Sequence, residues 1–306
     1  MSEIQILEVG LRDGLQNENQ NLSLEDKIFL AEELSKTGLK RIELGSFVSP
    51  QWVPQMSQTK DLVSHILKAQ KEGFLDSQIE YSALVPNQRG FKEALKTGLK
   101  SLAVFLSSTE SFSKKNINRS REQAYQNYQS LCKEALQEGI KIRAYLSVCF
   151  ECPYEGKVEN QEVLKWIQKI EELGVYEISI SDTTGKARPQ ELEELLDLIL
   201  KTTPATKLAC HFHNVHGTAL SNVWAAYQKG VRVFDGSLGG LGGCPYSKVP
   251  SGNISTESLL YLLENPESPL IPKILKVCQH LEKKLGRKLE SPLLNSPYYK
   301  RVSSSL

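Results

Sequence analysis

The 306-residue chain lacks an excess of either charge: 37 Lys and Arg stand against 36 Asp and Glu, for a formal net charge of +1. With no global field to attract them, nucleic acid and anionic membranes are not expected partners. No apolar run approaches the roughly 20 residues that a membrane-crossing helix needs. The opening Met1-Ser2-Glu3-Ile4-Gln5 lacks the basic-then-apolar build of a secretory signal. An apparent strand follows at once, so no transit peptide is expected. The closing Ser304-Ser305-Leu306 is not a Ser-Lys-Leu peroxisomal address. Cysteine is sparse and scattered, at positions 132, 149, 152, 210, 244 and 278. That pattern fits reduced thiols in a cytoplasmic protein better than a disulfide framework. Cys149 and Cys152 form one C-x-x-C, but a structural zinc site wants four ligands and no second matched pair exists. Disorder is excluded by 40% hydrophobic and 24% charged residues.

What the chain does have is alternation. Short β-rich runs predict strands at Ile4–Val9, Arg41–Leu44, Ile79–Leu84, Ser101–Leu106, Lys141–Val148, Glu177–Ser181, Lys207–His211 and Val231–Asp235. Amphipathic helical patterns lie between them. Ser23-Leu24-Glu25-Asp26 suits a helix start, because a Ser oxygen can accept an orphan N–H and acids favour the positive end. Pro189, followed by three glutamates, suits another. Glycines 38, 98, 139, 174 and 230 precede strands, as helix-to-strand turns require. Eight β/α alternations without a composition break predict one (β/α)8 TIM barrel. The doubly wound alternative lacks its G-x-G-x-x-G fingerprint after the first strand. The expected domains are a barrel over 1–265 and a C-terminal helical extension and tail over 266–306. Within the extension a helix is expected from Ile274 to Leu285, and the tail from Ser291 is expected to be poorly ordered.

Polar residues gather where such strands end. Arg12 and Asp13 follow the first, Glu43 lies near the end of the second, Asp182 ends the sixth, and His211 and His213 end the seventh. In a barrel, strand C-termini face the active-site mouth. Alternate residues on a strand share a side, so His211 and His213 can reach one ion. A lone H-x-H is a weak signal by itself, and any one of these charges could be an ordinary solvated loop group. His216 reads as a capping or hydrogen-bonding residue, and His65 and His280 as surface or packing residues. The run from Gly236 to Gly252 holds six of the 20 glycines together with Cys244, Pro245 and Tyr246. Glycine permits close approach to a ligand. A spacer would not need a thiol, a proline and a tyrosine, so this loop reads as a lid.

Several long blocks carry a resemblance. They are Glu8-Val9-Gly10-Leu11-Arg12-Asp13-Gly14-Leu15-Gln16-Asn17-Glu18, Ser46-Phe47-Val48-Ser49-Pro50-Gln51-Trp52-Val53-Pro54-Gln55-Met56, Lys114-Lys115-Asn116-Ile117-Asn118 and Cys152-Pro153-Tyr154-Glu155-Gly156-Lys157. Tyr176–Ser179 running into Asp182-Thr183, the Gly239–Tyr246 loop and Ser251-Gly252-Asn253 complete them. Together they resemble the 3-hydroxy-3-methylglutaryl-CoA lyases of the DRE-TIM metallolyase group, from residue 4 to about 264. The resemblance implies a TIM barrel, an acyl-CoA substrate, a homodimer and a divalent metal, Mg²⁺ or Mn²⁺. It implies Asp13, His211, His213 and Asn253 as metal ligands. Arg12, Glu43 and Asp182 match polar active-site positions, and Cys244 matches a catalytic loop cysteine. Lys114, Lys115 and Asn118 are the implied CoA contacts, though a solvated basic pair is the plain alternative for the lysines. The implied reaction cleaves 3-hydroxy-3-methylglutaryl-CoA to acetyl-CoA and acetoacetate.

Some positions depart from the family's usual pattern. After His213 the usual Asp-Thr-Tyr-Gly is Asn214-Val215-His216-Gly217, and the usual Gly-Val-Gly-Thr-Pro is Gly185-Lys186-Ala187-Arg188-Pro189. Ser181 replaces the glycine before Asp-Thr, and Asn19 replaces a lysine. No proposed ligand, base or acid is lost, but the mouth changes. A lyase for a related branched 3-hydroxyacyl-CoA therefore stays open. So do a Claisen-type 2-isopropylmalate- or homocitrate-like synthase, a pyruvate-type aldolase without CoA, and a non-catalytic metal- or CoA-binding protein.

Overall fold

The computed structural model describes residues 3–242 and 252–297. Eight strands form in chain order: β1 Gln5–Glu8, β2 Arg41–Ser46, β3 Glu80–Leu84, β4 Ser101–Ser107, β5 Lys141–Ser147, β6 Glu177–Asp182, β7 Leu208–Phe212 and β8 Val233–Gly236. Each pairs in parallel with its neighbours, and β8 returns to β1 with Gln5 opposite Val233 and Glu8 opposite Gly236. The (β/α)8 TIM barrel is thus closed, as the alternation predicts. Strand ends differ from the sequence expectation by only one or two residues, which is where strand definitions are softest.

Helices follow the strands: α1 Leu24–Ser35, α2 Thr59–Lys71, α3 Gln88–Leu95, α4 Glu110–Ile117, α5 Arg121–Gln137, α6 Asn160–Glu171, α7 Pro189–Ile199, α8 Ala219–Gln228 and α9 Thr256–Leu263. The Ser23 side chain accepts the Asp26 N–H, capping α1. Pro189 stands at the first position of α7, where no amide hydrogen is needed. Gly139 and Gly174 turn helices back into strands with φ of +68° and +77°. A two-stranded antiparallel hairpin, Glu151–Cys152 with Gly156–Lys157, decorates the segment after β5.

Period-2 alternation sorts the barrel wall. Ile42, Leu44, Ile142, Ile180, Phe212 and Phe234 pack outward into one large core beneath the helices. The opposite positions carry Glu43, Arg143, Tyr145, Glu177, Ser179, His211 and Asp235, all buried. The barrel therefore has an apolar shell outside and a polar, ion-paired interior.

The C-terminal helix α10 spans Leu270–Leu285, four residues longer at its start than expected. Pro272 does not delay it, because a proline in the first turn lacks only an amide hydrogen that has no partner there. Ile271, Ile274, Cys278 and Leu281 of α10 join the barrel's own core. The expectation of a poorly ordered tail from Ser291 is corrected for its first part. Residues Pro292–Asn295 form a helical turn and Leu294 is buried, so apolar burial holds this stretch.

Candidate active site

Five segments build the site at the C-terminal mouth of the barrel. After β1 the chain enters a π-helical turn, Gly10–Gly14, that carries Arg12 and Asp13. Such turns are rare and concentrate at functional positions. The end of β7 carries His211, and His213 lies two residues on. Residues 252–256 run beside those strand ends: Asn214 donates to the Gly252 carbonyl (2.6 Å), Ile254 to Phe212 (3.2 Å) and Ser237 to Ile254 (3.0 Å). That ladder sets Asn253 opposite His213. β2 supplies Glu43 and β6 supplies Asp182.

Asp13, His211 and His213 converge, with one ligand atom from each lying within 4.8 Å of the others. The two Nε2 atoms are 3.3 Å apart and lie 3.8 and 3.7 Å from Asp13 Oδ2. His211 Nδ1 is 3.2 Å from the Asp235 carboxylate. That contact keeps the neutral ring's proton on Nδ1 and leaves Nε2 as a lone pair aimed into the cluster. Two imidazoles and a carboxylate so arranged match the donor chemistry of a first-row divalent ion, with Mg²⁺ or Mn²⁺ favoured as oxygen donors are added. Burial opposes ionisation of Asp13, but Arg12 and the two histidines outweigh it and hold the carboxyl well below its ordinary range. Asn253 joins through its amide nitrogen, which donates to Asp13 Oδ2 (2.7 Å) and to the Leu241 carbonyl (3.2 Å). Ligation through its oxygen would require the amide to turn over.

Arg12 is 6% exposed and held on two sides. Its Nε donates to Glu43 Oε2 at 2.5 Å, and its Nη1 donates to Asp13 Oδ1. Tyr145, on β5, donates its hydroxyl to the same Glu43 oxygen (3.1 Å) and sets its ring under the guanidinium at 4.8 Å. The second Glu43 oxygen is buried without a hydrogen-bond partner. A fixed guanidinium of this kind is a ready anion receptor.

Asp182, Lys114, Lys115 and Asn118 complete the predicted residues that are described. Asp182 is buried, and its carboxylate accepts the backbone N–H groups of Lys186 (3.2 Å) and Ala187 (2.9 Å). It organises the turn after β6, while burial raises its carboxyl above the ordinary range. Lys114 and Lys115 ride in the last turn of α4, just beyond the end of β4, and Lys114 pairs with Glu110 of its own helix (3.1 Å). Asn118 caps that helix in the left-handed conformation, φ +52°. Cys244 lies outside the described residues, as does most of the glycine-rich loop. The other five cysteines are free and buried. Cys149 donates to the Leu146 carbonyl (3.0 Å) and Cys152 accepts from Thr109 Oγ1 (3.1 Å). His216 Nδ1 meets the Gly185 carbonyl at 3.0 Å.

Three residues escape the sequence reading. Asp235, Arg143 and Tyr145 stand inside strands, where polar residues are unusual in a barrel wall. Arg143 donates to Asp235 (2.6 Å) and to Glu177 (2.5 Å), and Glu177 accepts both Nη atoms of Arg41 at 2.9 Å. The usable signal was alternation: Arg143 and Tyr145 stand at i and i+2, facing inward.

Closed barrel, ion-paired interior and a carboxylate–imidazole cluster at the strand C-termini together define a TIM-barrel protein with a candidate divalent-metal centre. The HMGL-like family profile matches residues 3–282, and the chain belongs to that family. It is 44% identical over 263 residues to the hydroxymethylglutaryl-CoA lyase of Pseudomonas mevalonii, covering 86% of this chain and 85% of the relative. A 3-hydroxy-3-isohexenylglutaryl-CoA/hydroxy-methylglutaryl-CoA lyase of Pseudomonas aeruginosa is 38% identical, covering 95% and 97%. The solved structure of an HMG-CoA lyase from Acinetobacter baumannii, in complex with coenzyme A and 3-methylmalate, superposes with a TM-score of 0.88 at 32% identity. That alignment covers 96% of this chain and 95% of the other. No helix among the described residues is long and apolar enough to cross a membrane.

Proposed function

We infer that the chain is a lyase that cleaves 3-hydroxy-3-methylglutaryl-CoA to acetyl-CoA and acetoacetate. The observation that carries this reading is the Arg12–Asp13–His211–His213 cluster at the barrel mouth of an HMGL-like chain. The substrate's tertiary hydroxyl must lose its proton as the C2–C3 bond breaks. The bond's electrons pass to the thioester as an enolate, and the enolate carbon then takes a proton.

A bound Mg²⁺ or Mn²⁺, held by Asp13, His211 and His213 with Asn253 beside them, would lower the pKa of that hydroxyl. Asp13 is the proposed ligand and base, because its carboxylate adjoins both histidines at the centre of the cluster, and a ligating histidine or bound water is the alternative carrier of that step. Arg12 is the proposed oxyanion partner, because its guanidinium is permanently charged and already fixed. Glu43 holds Arg12 in place with Tyr145, and Asp182 shapes the β6 turn. Cys244 is the proposed proton donor to the enolate carbon, a free thiol with pKa about 8.5 being protonated near neutral pH. Lys114, Lys115 and Asn118 are the proposed CoA contacts. The catalytic barrel is assigned to residues 1–265 and the helical extension to 266–306. The proposed setting is a cytoplasmic homodimer.

The altered mouth supports a second reading, a related branched 3-hydroxyacyl-CoA. Lys186 there pairs with Glu151 of the hairpin, bridging the β5 and β6 loops. The deciding assay offers purified protein 3-hydroxy-3-methylglutaryl-CoA with Mg²⁺ or Mn²⁺. Acetoacetate release is expected. A faster turnover of a longer branched analogue would favour the second reading. No cleavage with either ion, but condensation of an acyl-CoA with a 2-oxo acid, would overturn both. Binding without turnover of any acyl-CoA would leave a non-catalytic protein.

A further inference from the structure

Glu8 ends β1 on the strand's outer side, in the layer between barrel and helices. Glu8 lies opposite Gly236 on β8 and Ile42 on β2, and outward positions on the other strands include the apolar Leu44, Leu146, Ile180, Phe212 and Phe234. A carboxylate here is anomalous, because burying one without a paired cation costs several kcal/mol. Glu8 is 0% exposed, and among the described residues its hydrogen-bond partners are the neutral Gly10, Leu238 and Thr256. Its neighbour across the site is a second buried carboxyl, Glu257, which adds repulsion.

The donors around Glu8 explain its retention. One oxygen accepts the backbone N–H of Gly10 at 2.7 Å and of Leu238 at 3.0 Å. The other accepts the Thr256 hydroxyl at 2.5 Å. These three partners belong to three separate segments. Gly10 opens the turn that carries Arg12 and Asp13. Leu238 opens the stretch to Gly242, whose Leu241 carbonyl holds the Asn253 amide. Thr256 follows directly on the segment that carries Asn253. The packing is equally tight. A Cβ at Gly10 would lie 2.1 Å from Leu238 Cδ2 and 2.6 Å from Glu8 Oε1. A Cβ at Gly236 would lie 2.7 Å from Thr256 Oγ1.

We propose that Glu8 is a positioning residue, whose carboxylate ties the 10–14 turn, the 238–242 stretch and the 253–256 segment into the one geometry that holds Asp13 and Asn253 together. The proposal deepens the lyase reading and rests on the same site, but not on the identity of the acyl-CoA. It acts through backbone and hydroxyl groups, so it sets ligand geometry rather than contacting substrate. A neutral amide keeps one acceptor oxygen for both N–H groups, and the Thr256 hydroxyl can rotate to accept from its nitrogen. An apolar side chain keeps neither.

The test compares Glu8→Gln, Glu8→Leu and Thr256→Val in the full chain, with Mn²⁺ affinity read by calorimetric titration and kcat and KM read on 3-hydroxy-3-methylglutaryl-CoA. Far-UV circular dichroism and Tm give the folded fraction. Glu8→Gln should keep Mn²⁺ affinity and kcat within about threefold. Glu8→Leu should weaken Mn²⁺ by about tenfold or more and lower kcat similarly, with KM little changed. Thr256→Val releases one segment only, and should give a smaller fall in both should Glu8→Leu not fold. A folded Glu8→Leu, or Thr256→Val, with wild-type Mn²⁺ affinity and kcat would overturn the proposal. So would equal losses in Glu8→Gln and Glu8→Leu, because charge rather than acceptor geometry would then matter. A wild-type chain that binds Mn²⁺ but does not cleave the substrate overturns the lyase reading alone, and the Mn²⁺ titrations still decide the role of Glu8.

Discussion

Asp235→Asn is the substitution whose consequences follow most directly from contacts inside the barrel. Asp235 is 2% exposed and takes three donors: Arg143 Nη2 at 2.6 Å, Ser179 Oγ at 3.2 Å and His211 Nδ1 at 3.2 Å. Burial opposes its ionisation, but Arg143 and His211 outweigh that and keep the carboxyl below its ordinary range. An asparagine of nearly equal size offers one acceptor oxygen and one donor nitrogen. At least one of the three donors must then face another donor. Arg143 keeps Glu177, so its charge is not wholly abandoned. Removing one partner of a buried pair typically costs about 3–5 kcal/mol, and the surviving partner argues for about 3.

A loss of about 3 kcal/mol should lower Tm by roughly 5 °C or more. The second effect is on the site. Without a carboxylate at Nδ1, the His211 ring is no longer held with its Nε2 lone pair toward Asp13. Loss of such a partner costs 10–100-fold in metal affinity, about 1.4–2.8 kcal/mol. Calorimetric titration with Mn²⁺, well below the variant's Tm, reads this directly. A destabilised variant with wild-type Mn²⁺ affinity would refute the reasoning, since Asp235 would then be only the counter-ion of Arg143.

Two further outcomes are expected. Burial holds the Glu8 carboxyl up at about 7, against 4.5 for a free side chain. The folded chain thus binds this proton more tightly than the unfolded chain, so stability falls as pH rises from about 4.5 to about 7 and is level above. The total is on the order of 3 kcal/mol. Chemical denaturation across that window should give a flatter profile for Glu8→Gln than for wild type, and parallel profiles would contradict the assignment. Replacing Lys114 and Lys115 together by alanine should raise KM for the acyl-CoA by about tenfold at low salt with kcat little changed, because exposed charges act through a screened field. An unchanged KM at low salt would remove them from the CoA site.

Much of the site was legible because its residues cluster locally at strand ends. Arg12-Asp13 and His211-x-His213 each reveal themselves within a few residues, and the period-2 rule puts the two imidazoles on one side without knowledge of the fold. Asp235 reads in the chain as one polar residue in an ordinary strand, and alternation turns Arg143 and Tyr145 inward without saying what Tyr145 meets. The roles of Asp235 and Tyr145 come from His211, 24 residues away, and Glu43, 102 residues away. Helix α10 shows the converse case: Pro266, Pro269 and Pro272 make a start at Ile274 the natural reading of the chain, yet the helix begins at Leu270 with Pro272 in its first turn and packs into the shared core. Glu8 sat inside a recognisable block, yet nothing local distinguishes an outward carboxylate from an inward one.

The sequence by itself determined the β/α alternation, the near balance of charge and the residue types at each strand end. These depend on hydrophobic period, turn chemistry and composition, which are properties of neighbouring residues. Only the tertiary structure decided which of those ends meet. Closure of β8 onto β1 sets residue 13 beside residues 211 and 213, and joins 8 to 238 and 256. Such partnerships rest on the register and curvature of a closed sheet, and these are global constraints that no local stretch of chain encodes.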